Sequence, residues 1–321
     1  MIGMSEDSIN NPDDLTSNEQ DSVYHIPVML HEVIEALDIK PDGVYVDCTF
    51  GGGGHSREVL KKLGKNGKLF VFDQDSDAIQ NIPKDERLVF IQQNFRYIAR
   101  FLRVNKCLKV DGILADLGVS SHQFDEPERG FSIRFDAALD MRMDTRQTLT
   151  AAKILETYSE LQLHKLFEKY GEVTNSKTLA RLIVEKRNSV SINTISKLKQ
   201  VIQPIVKGKP NKYFAQVFQA LRIEVNDEMG ALKEMLQQSV DLLKPNGRIA
   251  VITFHSLEDR IVKNFFKSGS TEEVIKDDVY GVSPVNPLAV VTKKPIEAKE
   301  SELKMNPRSR SAKLRIAKKV D

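Results

Sequence analysis

Tryptophan is absent from this 321-residue chain, and cysteine occurs only at Cys48 and Cys107. Two cysteines cannot build a disulfide framework, and their scarcity fits a reducing cytosol. No Cys/His cluster has metal-ligand spacing, so no metal site is expected. No apolar run reaches the length of a membrane span, and 40% apolar content is that of a soluble globular chain with no membrane partner. The first 22 residues hold six acids and neither lysine nor arginine. That argues against a basic-then-apolar leader and a mitochondrial presequence, so 1–22 is expected to be a disordered acidic tail on a cytoplasmic protein.

The net charge of +2 is unevenly spread. Seven bases and no acid fall between Leu303 and Lys319. With the small polar residues of Asn306-Pro307-Arg308-Ser309-Arg310-Ser311, this segment suits a phosphate backbone; a solvated basic tail is the alternative. Lys207-Gly208-Lys209-Pro210-Asn211-Lys212 is a second basic stretch, a phosphate-touching loop or a plain turn.

The glycines are concentrated where they matter. A short apolar strand, Gly43 to Cys48, runs into Thr49-Phe50-Gly51-Gly52-Gly53-Gly54-His55-Ser56 and then a helix, read as Ser56 to Leu63 with Ser56 as N-cap. Four glycines in a row remove every Cβ from the turn and let backbone N–H groups approach a ligand. A second strand, Lys68 to Phe72, ends at Asp73, where an acid can accept hydrogen bonds from ribose hydroxyls. Strand, loop, helix and acid together imply an adenosine-type cofactor. The dinucleotide pattern needs glycine where Ser56 stands, and Asp47 suits a cation such as the sulfonium of S-adenosylmethionine. The loop alone does not choose between them.

Strands and helices alternate from 43 to 117: strands near 43–48, 68–73, 88–92 and 112–117, and helices at 56–63, 76–81 and 98–103. That rhythm specifies an α/β fold with a doubly wound, Rossmann-like parallel sheet. Ligands gather outside the carboxyl ends of such strands, where Asp47, Asp73, Asn94-Phe95 and Asp116 fall. From about Glu126 to Gln219 the pattern turns helical, with helices at 149–158, 159–170, 175–186, 191–201 and 213–221. The α/β pattern resumes with a helix at 226–243, a turn at 244–247 and a strand at 248–253. The expected organisation is an acidic tail (1–22), the first part of an α/β domain (23–125), an inserted all-helical domain for substrate recognition (126–219), and the second α/β part with a basic C-terminus (220–321).

Several long segments carry a specific resemblance. They include His25-Ile26-Pro27-Val28-Met29-Leu30, the loop Asp47 to Ser56, Asp116-Leu117-Gly118-Val119-Ser120-Ser121-His122-Gln123-Phe124-Asp125 and Glu128-Arg129-Gly130-Phe131-Ser132. Phe218 to Asn226, Thr253-Phe254-His255-Ser256-Leu257-Glu258-Asp259-Arg260 and Asn306 to Arg315 complete the set. From Tyr24 onward the chain resembles the bacterial RsmH (MraW) family of methyltransferases. The resemblance implies a class I methyltransferase fold, S-adenosylmethionine as cofactor, and N4-methylation of a cytidine of 16S rRNA near the decoding centre of the small ribosomal subunit. It implies cofactor contacts at Gly53, Gly54, His55, Asp73, Phe95, Asp116 and Gln123. His122 stands where many relatives have proline.

The residues also suggest roles of their own. Phe95 suits packing on an adenine ring or a place in the core; Gln123 suits a cofactor or substrate hydrogen bond or a surface turn. Asp116 is a candidate catalytic group that would accept N–H bonds from the target amine, or it serves the cofactor alone. Its neighbours Leu117-Gly118 replace the prolines of the amino-methyltransferase motif, and no aromatic follows. His255, after the strand at 248–253, could orient the base or take a proton, or be satisfied structurally. Arg142 could meet a phosphate or pair with its flanking acids. Two other functions compete: a nicotinamide-dependent oxidoreductase, disfavoured by Ser56, and a non-enzymatic RNA-binding assembly factor, which leaves the convergent acids without a task.

Overall fold

The computed structural model describes residues 27–271 and 286–320; the acidic stretch 1–22 and His25-Ile26 lie outside the described residues. Eight strands form one sheet: β1 (Val44–Asp47), β2 (Lys68–Phe72), β3 (Leu88–Ile91), β4 (Val110–Asp116), β5 (Leu243–Thr253), β6 (Leu288–Val290), β7 (Ile296–Glu297) and β8 (Lys313–Lys319). Their order is β3-β2-β1-β4-β5-β8-β6, with β7 also paired to β8. The first five are parallel and β8 is antiparallel to β5.

Side-chain alternation explains why the strands read as unbroken apolar runs: both faces are covered. Val46, Phe70, Phe72, Ile113, Ala115, Ile249 and Val251 pack on one face, against the helices Ile98–Val104, Glu228–Leu242 and Ser256–Ser268. Tyr45, Leu69, Val71, Leu114, Ala250 and Ile252 pack on the other, against Leu30–Leu37 and Gly54–Lys62. A third apolar cluster, from Phe131 to Val225, is built separately by the helices Ala151–Thr157, Glu160–Gly171, Ser176–Lys186, Ile195–Ile202 and Pro210–Asn226.

Several local expectations are corrected. The helix after the glycine loop begins at Gly54, not Ser56, and residues 76–81 form a 3-10 helix. The helix expected from 191 starts only at Ile195, because Thr194 is held in a bridge to Ala138 and then caps Lys197 N–H through its side chain. Residues 213–221 belong to a longer helix from Pro210, a favoured first position, to Asn226. It ends where Asp227 turns left-handed, at φ 44°. The 244–247 turn survives as a bulge inside β5, where the register with β4 jumps from Val110↔Leu243 to Gly112↔Arg248. The basic C-terminal segment is no solvated tail. Its last seven described strand residues lie between β5 and β6, with Leu314 and Ala317 fully buried.

Candidate cofactor and active site

The glycine loop is braced from beneath. Asp47, at the end of β1, accepts from Ser56 Oγ at 2.7 Å and from Thr49 N–H at 3.0 Å. Ser56 is therefore a buried post and not a cap, and Asp47 does not line the cavity above it. Gly51 and Gly53 hold φ of +50° and +73°. Asp73 closes the turn, its two oxygens accepting from Gly51 N–H (2.8 Å) and Asp75 N–H (2.9 Å). Burial pushes its carboxyl up to about 6, although both N–H groups pull the other way.

A cavity of about 750 Å³ opens over this loop, within the range that encloses a small organic ligand. Gly54, His55, Asp73, Phe95, Asp116 and Gln123 line it, as do Gly51 and Gly52; Gly53 lies behind the loop, against the Phe50 ring. A Cβ on Gly52 would meet nothing within 4 Å, whereas one on Gly54 would collide with the Pro27 ring. The cavity floor thus leaves space for a ligand at Gly52 and none for a larger residue at Gly54. These residues fit a nucleoside cofactor with an amino-acid end.

Gln123 is buried rather than on a surface turn. It closes a capping box with Ser120, and its Nε2 donates to Asp75 Oδ2 at 2.6 Å. Arg129 donates to Asp75 (2.7 Å) and to Asp77 (2.8 Å), tying the Glu128-Arg129-Gly130 segment to the strand that carries Asp73. Phe95 lines the cavity and also packs on the sheet core, so both of its readings hold.

Asp116, at the end of β4, has the least settled environment. Its Oδ1 is buried without a hydrogen-bond partner, and its Oδ2 lies 3.7 Å from Nδ1 of His55. Burial pushes its carboxyl well above the usual range, helped by Asp47, Glu258 and Glu302. Burial pushes the His55 ring the other way, below its ordinary value, against the pull of Asp47.

His255 is not among the cavity residues. It is the N-cap of the Ser256–Ser268 helix, with Nδ1 accepting from Glu258 N–H (3.5 Å) and Nε2 3.2 Å from Glu258 Oε1. Glu258, which does line the cavity, is disfavoured as a charge by burial, yet His255, Arg222 and the Phe254 N–H hold it below the usual carboxylate range. Glu228, His255 and Glu258 bring ligand atoms within 4.8 Å of one another, an arrangement no sequence spacing announced. Arg222 already binds both oxygens of Glu228, at 2.8 and 3.0 Å. Arg142 pairs bidentately with Asp140 and donates to two backbone carbonyls, so it is an internal ion pair.

The rim holds what sequence reasoning missed. The guanidinium groups of Arg134 (5.3 Å) and Arg308 (5.2 Å) both lie over the Phe124 ring. Arg308 also pairs with Asp125 at 2.5 Å. The Asn226 side chain accepts from Met143 N–H (2.7 Å) and donates to Met141 O (2.8 Å), fastening the 140–144 loop beside the cavity. Phe124, Asn226 and Arg308 lie inside segments that carry the family resemblance, whereas Arg134, Met141 and Met143 lie outside them, and only three-dimensional neighbours reveal the roles.

A parallel sheet with a glycine turn after β1, an acid after β2 and an antiparallel strand beyond β5 defines a class I, S-adenosylmethionine-dependent methyltransferase. The chain belongs to the MraW methylase family, whose pattern matches residues 22–320. It is 55% identical over 304 residues to the ribosomal RNA small subunit methyltransferase H of Parabacteroides distasonis, covering 94% of this chain and 99% of that protein. The protein of the same name from Flavobacterium johnsoniae is 55% identical over 298 residues, covering 92% and 98%.

Proposed function

We propose that this enzyme methylates the exocyclic N4 amine of a cytidine in 16S rRNA, near the decoding centre of the small ribosomal subunit. Two named relatives support the ribosomal substrate, as does the family resemblance of the motifs. The observation that carries the amine chemistry is Asp116: a cavity-lining carboxyl with an unpartnered oxygen, beside the glycine loop.

S-adenosylmethionine, when bound, supplies an electrophilic methyl group. Gly51 to Gly54 would wrap its amino-acid end, and the N-terminal N–H groups of the Gly54–Lys62 helix would be available to its carboxylate. Asp73 would hold the ribose hydroxyls, since each of its oxygens keeps a lone pair beyond the loop hydrogen bond. Phe95 would cover the adenine, and Gln123 keeps Asp75 in place. The cytosine amine is a poor nucleophile because its lone pair is delocalised into the ring. Asp116, accepting its N–H bond, returns electron density to nitrogen, while alignment and exclusion of water lower the remaining barrier. His255 contributes through Glu258, whose position it fixes.

The target base leaves its stack to enter the cavity. The helical segment 126–219 and the basic 303–319 segment, with Arg308 on the rim, grip the flanking RNA, so the chain works as an α/β catalytic domain (23–125 and 220–321) carrying an inserted substrate domain. The test is transfer of labelled methyl from S-adenosylmethionine to small subunits lacking native modifications, followed by nucleoside analysis. N4-methylcytidine that disappears with Asp73→Ala supports the reading. Measurable cofactor binding with no label on subunits or free 16S rRNA overturns it.

A further inference from the structure

We propose that His55 is the second member of a proton relay that starts at Asp116, so that the proton released by the target amine ends on a buried imidazole. This deepens the reading above and rests on it. The geometry carries it. His55 is 5% exposed, and its Nε2 lies 3.0 Å from the Val28 carbonyl, which can only accept. The proton of the neutral ring is therefore fixed on Nε2, leaving a lone pair on Nδ1. That lone pair faces Asp116 Oδ2 across 3.7 Å, a spacing that shortens to a hydrogen bond with a small adjustment on ligand binding. Two lone pairs opposed in a buried site repel, so one proton between them is the stable arrangement.

The other titratable groups facing this pair are all acids. Asp47 comes from β1, Glu258 from the helix after β5, and Glu302 from the Glu300–Met305 helix. Glu302 is itself held by Met29 N–H at 2.8 Å. These acids offset part of the burial cost that keeps the resting ring neutral, and the charge balance calls for a cation after transfer. As the nitrogen–carbon bond forms, the carbon–sulfur bond breaks and its electron pair stays on sulfur, so the sulfonium charge vanishes. The amine proton passes to the Asp116 carboxyl, and the proton already shared there passes to Nδ1 of His55. The positive charge leaves the sulfur and reappears on the imidazolium, beside Asp47. Asp116 is the catalytic residue; His55 acts through it as a positioning residue.

The test pairs kinetics with spectroscopy. In His55→Gln the amide nitrogen can keep the Val28 contact but no basic atom faces Asp116. Its single-turnover methylation rate should fall by about 10²-fold. The acidic limb of its pH–rate profile should move to higher pH, because Asp116 then titrates alone. Histidine NMR of the cofactor-free wild type should show a neutral ring protonated on Nε2 that titrates in two coupled steps, reduced to one step in Asp116→Asn. An unshifted pH profile in His55→Gln, or a His55 titration indifferent to Asp116→Asn, overturns the relay. Wild-type enzyme that makes no N4-methylcytidine would instead sink the underlying reading. The NMR comparison stands even if His55→Gln fails to fold.

Discussion

The two walls of the cavity are built in opposite ways. On the glycine-loop side Asp116 keeps an unpartnered oxygen for the target, but three acids are committed: Asp47 is held by Ser56 and Thr49, Asp73 by Gly51 and Asp75, and Asp75 by Gln123 and Arg129. Each bond is short, and most of the groups are buried. On the rim, Arg134, His122 and Asp125 are exposed, and Phe124 is shared between two guanidinium groups. The first wall fixes a small ligand by geometry settled in advance; the second offers charge and a ring face to a large polyanion that brings its own shape. Preorganisation costs folding free energy once and is returned at each binding event, which suits the wall that meets the same cofactor every cycle.

Mutations should separate the walls. Asp73→Ala should lower S-adenosylmethionine affinity ten- to a hundredfold, about 1.5–3 kcal/mol, in a calorimetric titration, with RNA affinity unchanged. An equal loss for RNA would mean that the walls are one unit. Acidification probes the same group. Because burial raises Asp73 to about 6, its ionised form is depleted as pH falls through 6. Cofactor affinity should drop about tenfold between pH 7 and pH 5, where an ordinary aspartate would stay charged, and Asp73→Asn should abolish the dependence. Among the glycines, Gly52→Ala should weaken cofactor binding severalfold at unchanged melting temperature. Gly54→Ala should destabilise the fold by about 1–3 kcal/mol through collision with Pro27. Equal melting temperatures for the two variants would contradict the assignment. The smallest effect belongs to the rim: Arg134→Ala and Arg308→Ala should each reduce the salt slope of RNA binding by about 1 and leave cofactor affinity alone.

The committed wall was the more legible one in the sequence, and its misreadings are instructive. Strand ends followed by acids announce themselves, because apolar alternation stops where the chain turns to the ligand; Asp73 and Asp116 were found that way. Ser56 has the chemistry of a helix cap, but the glycines before it let the helix begin earlier, and its hydroxyl turns inward to Asp47. His255 sits at the strand end expected of a working residue, and its Nδ1 caps its own helix while its buried Nε2 has no hydrogen-bond partner. The basic C-terminal run hid a strand, since Arg315 looks solvated until its partner Asp259, 56 residues earlier, is brought to 2.6 Å. Local pattern reports what a residue can do; distant partners decide what is left for it to do. Periodicity alone marks a helical stretch between strand-bearing ones, and helices build the third apolar cluster. The Arg134–Phe124–Arg308 stack was not, because 174 residues separate the two arginines in sequence.

The place of β8 in the sheet has a consequence during synthesis. Thr253 at the end of β5 pairs with Lys313, sixty residues later, and Arg308 reaches the rim from just before that strand. At about 5–20 residues per second, a ribosome leaves β5 as an open, apolar sheet edge for several seconds after making it. During that interval the rim still lacks one of its arginines. Asn306 and Arg308 line the cavity, and Leu314 and Ile316 pack in the core beneath the glycine loop, so the cavity is completed only when this edge is covered.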